Sequence, residues 1–215
     1  MYIDIRQWFN PTKKTLSFLY LPALCILVGA VVVSVKMGVP ISVLTQDPLS
    51  STGQHPFTGA ISNLGIVLWA FSGSVCIFTY CLLKNSSIDR ARNRFILLGA
   101  IISCAFLFDD LFMLHEWIFP KLLGLNEKIV LIFYAFLLLY YVVAFRGRIL
   151  SRDITLLLFF FVGLAISVLI DMVPDTYFTW HYLLEDGPKF LGIVSWFGYQ
   201  FTTCMVEIRL VQNSL

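Results

Sequence analysis

Long apolar segments recur along this 215-residue chain, and polar residues are concentrated in the short stretches between them. A helix rises about 1.5 Å per residue, so about 20 apolar residues cross the roughly 30 Å hydrocarbon core of a bilayer. Six segments reach this length, and they are residues 16–36, 59–83, 95–119, 129–145, 154–173 and 188–208. None shows the period-2 alternation of barrel strands. The pattern therefore predicts an all-α bundle of six membrane-spanning helices.

The composition supports this interpretation. Hydrophobic residues make up 59% of the chain and charged residues only 13%, whereas soluble domains carry about 25% charged residues. Soluble globular, disordered and nucleic-acid-binding proteins are excluded on this ground. Because six spans leave only short tails and connections, we expect one transmembrane domain over residues 1–215.

Basic residues are unevenly distributed between the two ends of the predicted spans. Eleven lie at one end, and they are Arg6, Lys13, Lys14, Lys84, Arg90, Arg92, Arg94, Arg146, Arg148, Arg152 and Arg209. Four lie at the other, and they are Lys36, Lys121, Lys128 and Lys189. The positive-inside rule places the richer end, with both termini, in the cytoplasm. We expect an integral protein of a bacterial plasma membrane with this orientation.

Acidic residues show the opposite bias. The outer half holds Asp47, Asp109, Asp110, Glu116, Glu127, Asp171, Asp175, Glu185 and Asp186, and all three histidines, His55, His115 and His181. The sequence thus predicts an extracytoplasmic polar centre, built from the ends of the second, third, fifth and sixth spans.

Two carboxylates of this centre lie deep in the third predicted span. Asp109 and Asp110 are about ten residues, or on the order of 15 Å, below its outer end at Phe119. A carboxylate near mid-membrane costs about 2.5–3.5 kcal/mol even on the lenient insertion scale. We therefore expect each to be neutralised by a proton, a metal ion, a charged histidine or Lys189.

Helical geometry selects partners for Asp109. On a regular helix Glu116 returns to within about 20° of Asp109, whereas His115 lies about 120° away. Asp109 and Glu116 are therefore the candidate catalytic pair. A metal site would need further ligands from other spans, and the candidates are His115, His181, Glu185 and Asp171. Ser62, Asn63, Asp110 and Lys189 complete the predicted centre.

The start of the sixth span leaves two alternatives. His181, Glu185 and Lys189 form one stripe with a spacing of four residues if the helix runs through Pro188. Otherwise the span begins with Asp186 as its N-cap, because proline suits a first helical turn. His181 and Glu185 would then lie on a separate surface helix.

Two short stretches resemble motifs of alkaline ceramidases, relatives of the adiponectin-receptor-like membrane hydrolases. They are Ile61-Ser62-Asn63 in the second span and Leu107-Phe108-Asp109-Asp110-Leu111-Phe112-Met113 in the third. The resemblance implies an intramembrane zinc ion that cleaves lipid amides, with Asp109 at a metal-site position. The chain departs from that family at Leu98, where the first zinc histidine is expected, and in lacking the closing H-x-x-x-H motif and a seventh span.

Three functions remain open at this point. The leading hypothesis is a binding or accessory subunit, whose buried acids bond internally and hold the helices together. The first alternative is a hydrolase in which zinc or another divalent ion, held by imidazole and carboxylate, activates water against a lipid or amphipathic substrate. The second is a proton- or cation-coupled transporter, although the third span is apolar below its acids. Expected partners are membrane lipid, an amphipathic small molecule and neighbouring membrane subunits, but no nucleic acid.

Overall fold

The computed structural model describes residues 13–42, 52–55, 57–84, 90–151, 154–173 and 181–213. Every regular element in these ranges is helical, which confirms the predicted all-α class. The chain divides into two compact units, Met1–Thr58 and Gly59–Leu215. The single transmembrane domain over the whole chain stays a prediction.

The first unit contains helix α1 (Lys13–Met37). The helix ends before Gly38, whose φ of 66° is the left-handed conformation that commonly follows a helix. Within α1 the apolar stretch Leu27–Met37 is shorter than a full membrane span. The predicted first span, 16–36, therefore stays a prediction.

The second unit is built from helices. They are α2 (Ala60–Leu83), α3 (Arg90–Phe112), α4 (Phe119–Leu123), α5 (Glu127–Ala144), α6 (Arg146–Leu150), α7 (Thr155–Asp171) and α8 (His181–Gln212). A π-helical turn, Leu114–Ile118, connects α3 to α4.

Three of these helices, α2, α3 and α5, are long and apolar enough to cross a membrane. Helix α7 is apolar but has only 17 residues. Helix α8 is a single 32-residue helix with Pro188 inside it, so His181 and Glu185 do not lie on a separate surface helix. The structure thus supports a membrane protein with three candidate spans, while the count of six and the orientation stay predictions.

Helix α8 is the central helix of this unit, because it packs along both α7 and α2, and α2 in turn packs along α3. Glycine allows the close approach to α7: a Cβ at Gly163 would lie 2.5 Å from the backbone oxygen of Pro188. Buried aromatic side chains fill the interior, and the rings of Phe160 and Trp196 lie 4.7 Å apart. Small residues and large rings together bring the helix ends that carry the polar centre close to one another.

Candidate functional site

The polar centre begins at a break in the third long helix. Helix α3 ends at Phe112, and Met113 adopts left-handed dihedral angles, φ 50° and ψ 50°. No other non-glycine residue in the described ranges has a positive φ. The conformation costs about 1–2 kcal/mol for such a residue. The continuous helix predicted over 95–119 is therefore wrong beyond Phe112, because the left-handed residue Met113 interrupts it.

This break brings His115 onto Asp109. The His115 imidazole bonds through Nδ1 to Asp109 Oδ2, and the His115 backbone N–H donates to Asp109 Oδ1 over 3.1 Å. The Tyr134 hydroxyl of α5 donates to the same Oδ1 over 2.9 Å. Asp109 is only 2% exposed. The predicted separation of about 120° between Asp109 and His115 on a regular helix is wrong, because the helix does not continue between them.

Glu116 stands on the other side of the same imidazole. Its Oε1 lies 3.6 Å from His115 Nε2, and its side chain is 55% exposed. Asp109 and Glu116 therefore flank one imidazole instead of standing two turns apart on one helical face. Their predicted roles as a catalytic pair stay a prediction.

The charges around His115, which lies beyond the end of candidate span α3, shift its protonation. Burial lowers the pKa of the imidazole, but the hydrogen bond and negative charge of Asp109 raise it by more, with a further contribution from Glu116. The net result is a pKa above the ordinary value of 6.5. The contact with Asp109 therefore favours the protonated form of the imidazole.

Asp110 has its own cation. The Lys189 ammonium of α8 donates to Asp110 Oδ1 over 2.9 Å, and the Trp69 indole N–H of α2 donates to Oδ2 over 2.9 Å. The side chains of Asp110 and Lys189 are 8% and 32% exposed. Lys189, one of the four predicted neutralising groups, therefore pairs with Asp110.

A small cavity adjoins this ion pair. Its lining includes Ser62, Asp110, Asp186 and Lys189, and its volume is about 10 Å³. A cavity of this size holds about one water molecule. Ser62 thus lies beside the Asp110–Lys189 pair.

The remaining predicted residues differ in their exposure. Asn63 and Asp171 are exposed, and Glu185 is half-buried. His181 is the first residue of α8, and its side chain lies outside the described part of the structure. Within the described ranges, no group of three or more His, Cys, Asp or Glu side chains is placed to hold a metal ion. The geometry therefore gives the predicted zinc or other divalent site no support.

A second set of polar contacts, which the sequence analysis missed, lies deeper in the bundle. The Trp196 indole N–H donates to Ser103 Oγ over 2.9 Å, and the Cys76 thiol donates to Gln200 Oε1 over 3.4 Å. Farther along α8, the Arg148 guanidinium donates to buried Glu207 over 3.3 Å. The signal was present in the sequence: residues 196, 200, 203 and 207 recur at helical spacing on one face of α8.

The family of the chain is shown by a family-model match over residues 19–203. The chain belongs to the family described as Domain of unknown function (DUF8692). The match includes Asp109, Asp110 and Lys189 and ends before Glu207. No curated protein and no solved structure matches the chain.

Proposed function

We propose that this chain is a six-span integral membrane protein that acts as a binding or accessory subunit, and that its polar centre holds the helix ends together. One observation carries the proposal: both buried carboxylates accept hydrogen bonds from groups of the chain itself. His115 and Tyr134 are hydrogen-bonded to Asp109. Lys189 and Trp69 are hydrogen-bonded to Asp110.

The contacts of this centre join five parts of the second unit. Asp109 and Asp110 belong to α3, and their partners come from α2, α5, α8 and the π-helical turn. Removing one partner of a buried ion pair leaves an uncompensated charge, which typically costs about 3–5 kcal/mol. Such a centre favours one arrangement of the helices, which is what a subunit that presents a fixed surface requires.

The surroundings of the centre also favour a structural role over catalysis. The adjoining cavity is small, about 10 Å³, which is the space of about one water molecule. The oxygens of Asp109 already accept bonds from His115 and Tyr134. A lipid substrate would have to displace these contacts before reaching either carboxylate.

The membrane part of the proposal rests on the apolar outer surface and the distribution of charge. Side chains of α5 that are more than half exposed include Phe133, Phe136, Leu139 and Val143, and these suit acyl chains better than water. The excess of basic residues at one end supports cytoplasmic termini in a bacterial plasma membrane.

Purification in a mild detergent tests the subunit role. We expect the full-length chain to co-purify with a larger membrane assembly, and native mass spectrometry to resolve a fixed ratio of chains. A chain that remains a stable monomer without partners would contradict the proposal. Removal of the protein from membranes by alkaline carbonate, without detergent, would separately contradict membrane insertion.

Metal-dependent hydrolysis is the first alternative, and the orientation of His115 by Asp109 is the observation in its favour, since Asp–His pairs position general bases. Elemental analysis of the purified chain decides between the two functions. Hydrolysis predicts one metal ion per chain that Asp109→Asn removes. The subunit proposal predicts less than stoichiometric metal, unchanged by that substitution.

Proton- or cation-coupled transport is the second alternative. The buried Gln200 and Glu207 place polar groups farther along α8 than Lys189, toward the basic end of the bundle. Buried Trp69 and Trp196, whose rings lie 6.3 Å apart, stand between these groups and the Asp110 pair. Proton flux into dye-loaded vesicles, reduced by Gln200→Leu, would favour transport over the subunit role.

A further inference from the structure

A shallow groove runs between α2 and α8, away from the Asp109–Asp110 centre. Its volume is about 400 Å³, and its walls include Ser74, Phe78, Phe201, Met205 and Ile208. The volume lies within the range of about 300–1,000 Å³ that is typical of small-molecule sites. Its lining is predominantly apolar, as an acyl chain requires.

The two helices that form the groove run parallel. Gly65 packs against Ile193, since a Cβ at Gly65 would lie 3.1 Å from Ile193 Cδ1. The sulfur atoms of Cys76 and Cys204 lie 3.9 Å apart across the same interface, 128 residues apart in the chain. Because Gly65 and Ile193 have the same separation in the chain, α2 and α8 keep one register, and their C-terminal ends lie at the same end of the bundle.

Two cations stand at that end of the groove. Lys84 follows the last residue of α2, and Arg209 lies in the last turn of α8, one helical turn beyond Met205. Both side chains are exposed. Within the described ranges neither makes an ion pair or a side-chain hydrogen bond, whereas nearby Arg148 is paired with Glu207. The apolar groove therefore ends at positive charge that the described protein groups do not neutralise.

We propose that this groove binds one anionic glycerophospholipid. An acyl chain lies between α2 and α8, and the phosphate and its net negative charge lie beside Lys84 and Arg209. Basic residues next to a membrane span attract anionic headgroups, and the groove adds a place for the chain that a purely electrostatic attraction lacks. The inference rests on the proposed membrane insertion but not on the proposed subunit role.

Lipid titration of the delipidated full-length protein in detergent tests the site. The probes are phosphatidylglycerol, phosphatidylcholine with the same acyl chains, and inorganic phosphate, with native mass spectrometry as the readout. We expect one phosphatidylglycerol per chain, weaker retention of phosphatidylcholine, and no displacement by phosphate.

Arg209→Gln should weaken phosphatidylglycerol binding by about fivefold, the effect of one cation at an anionic lipid surface. Lys128→Gln, an equal loss of charge at the other end of the bundle, should leave it unchanged.

A second pair of variants tests the groove itself. Ser74→Phe places a ring in the groove and should abolish retention of phosphatidylglycerol, while Val143→Phe, on the exposed face of α5, should not. Equal binding of phosphatidylcholine, equal effects of Arg209→Gln and Lys128→Gln, or full retention in Ser74→Phe would each overturn the site. Resistance of the protein to carbonate extraction would show that membrane insertion stands even when the lipid site fails.

Discussion

At the scale of single residues, the polar centre is a set of charged groups whose cost of burial is offset by specific donors. Asp109 depends most on such donors, because its side chain is almost fully buried. It accepts three hydrogen bonds. Two of these donors belong to His115, namely its backbone N–H and its ring, and the third is the Tyr134 hydroxyl. The contributions of the ring and of the hydroxyl can therefore be measured by substitution.

Tyr134→Phe removes one donor from Asp109 and keeps the ring. We expect the free energy of unfolding in detergent to fall by about 1.5–3 kcal/mol, the typical value for a hydrogen bond to a charged group. Tyr140→Phe on the same helix is the control, because Tyr140 is 62% exposed. Equal losses in the two variants would argue that the hydroxyl of Tyr134 does not serve Asp109.

Lys189→Leu leaves the Asp110 carboxylate without its cation. We expect a loss of about 3–5 kcal/mol, since the remaining buried charge is uncompensated. Adding Asp110→Asn to this variant should recover part of the loss, because it removes that charge. Thermal unfolding of both variants beside Lys128→Leu, which changes an exposed lysine, measures the coupling. No recovery in the double variant would contradict the pairing.

His115 makes stability depend on pH. Its folded-state pKa is raised above the unfolded value of 6.5 by Asp109 and Glu116. The stabilisation is therefore fully present below pH 6.5 and is lost as pH rises through the higher folded-state pKa. Thermal midpoints across this range should fall in the wild type and stay flatter in His115→Gln. Parallel profiles would contradict an ionised His115–Asp109 pair.

At the scale of helices, the sequence predicts well that a helix is present and predicts poorly where that helix ends. Residues 59–83 were expected and Ala60–Leu83 is observed, because apolar length alone defines this helix. The end of α3 was missed, since Met113 is neither glycine, asparagine nor proline and carries no local signal of a turn. Hydrogen bonds from His115 and Tyr134 to Asp109 stabilise the break. The site therefore depends on tertiary contacts that a helical periodicity does not encode.

Met113→Gly tests whether the break stores strain. Glycine adopts positive φ without the steric cost that a side chain carries, so we expect a gain of about 1 kcal/mol in stability. Met172 provides the control, because it is also exposed and ends a helix, but its φ is −71°. Met172→Gly should therefore not stabilise the protein. A loss of stability in Met113→Gly would contradict the left-handed geometry at this position.

At the scale of the whole molecule, charge and polarity divide the bundle into two ends. The end with Asp109, Asp110 and Glu116 carries the polar centre, and the other carries Lys84, Arg148 and Arg209. This division was predictable, because it follows from counting charges between apolar segments. The pairing of Arg148 with Glu207 was not, because it joins residues 59 positions apart whose proximity depends on how α6 and α8 pack.

The orientation of these two ends follows from the same charges and is open to direct measurement. Gly147→Cys places a thiol at the basic end, where a Cβ meets nothing within 4 Å, and Leu125→Cys places one at the acidic end. A membrane-impermeant maleimide added to intact cells should label Leu125→Cys, and should label Gly147→Cys only after permeabilisation. The wild type, whose five cysteines lie in predicted spans, sets the background. Because positive charge resists transfer across the plasma membrane, external labelling of Gly147→Cys would reverse the orientation and place the Asp109 centre on the cytoplasmic side.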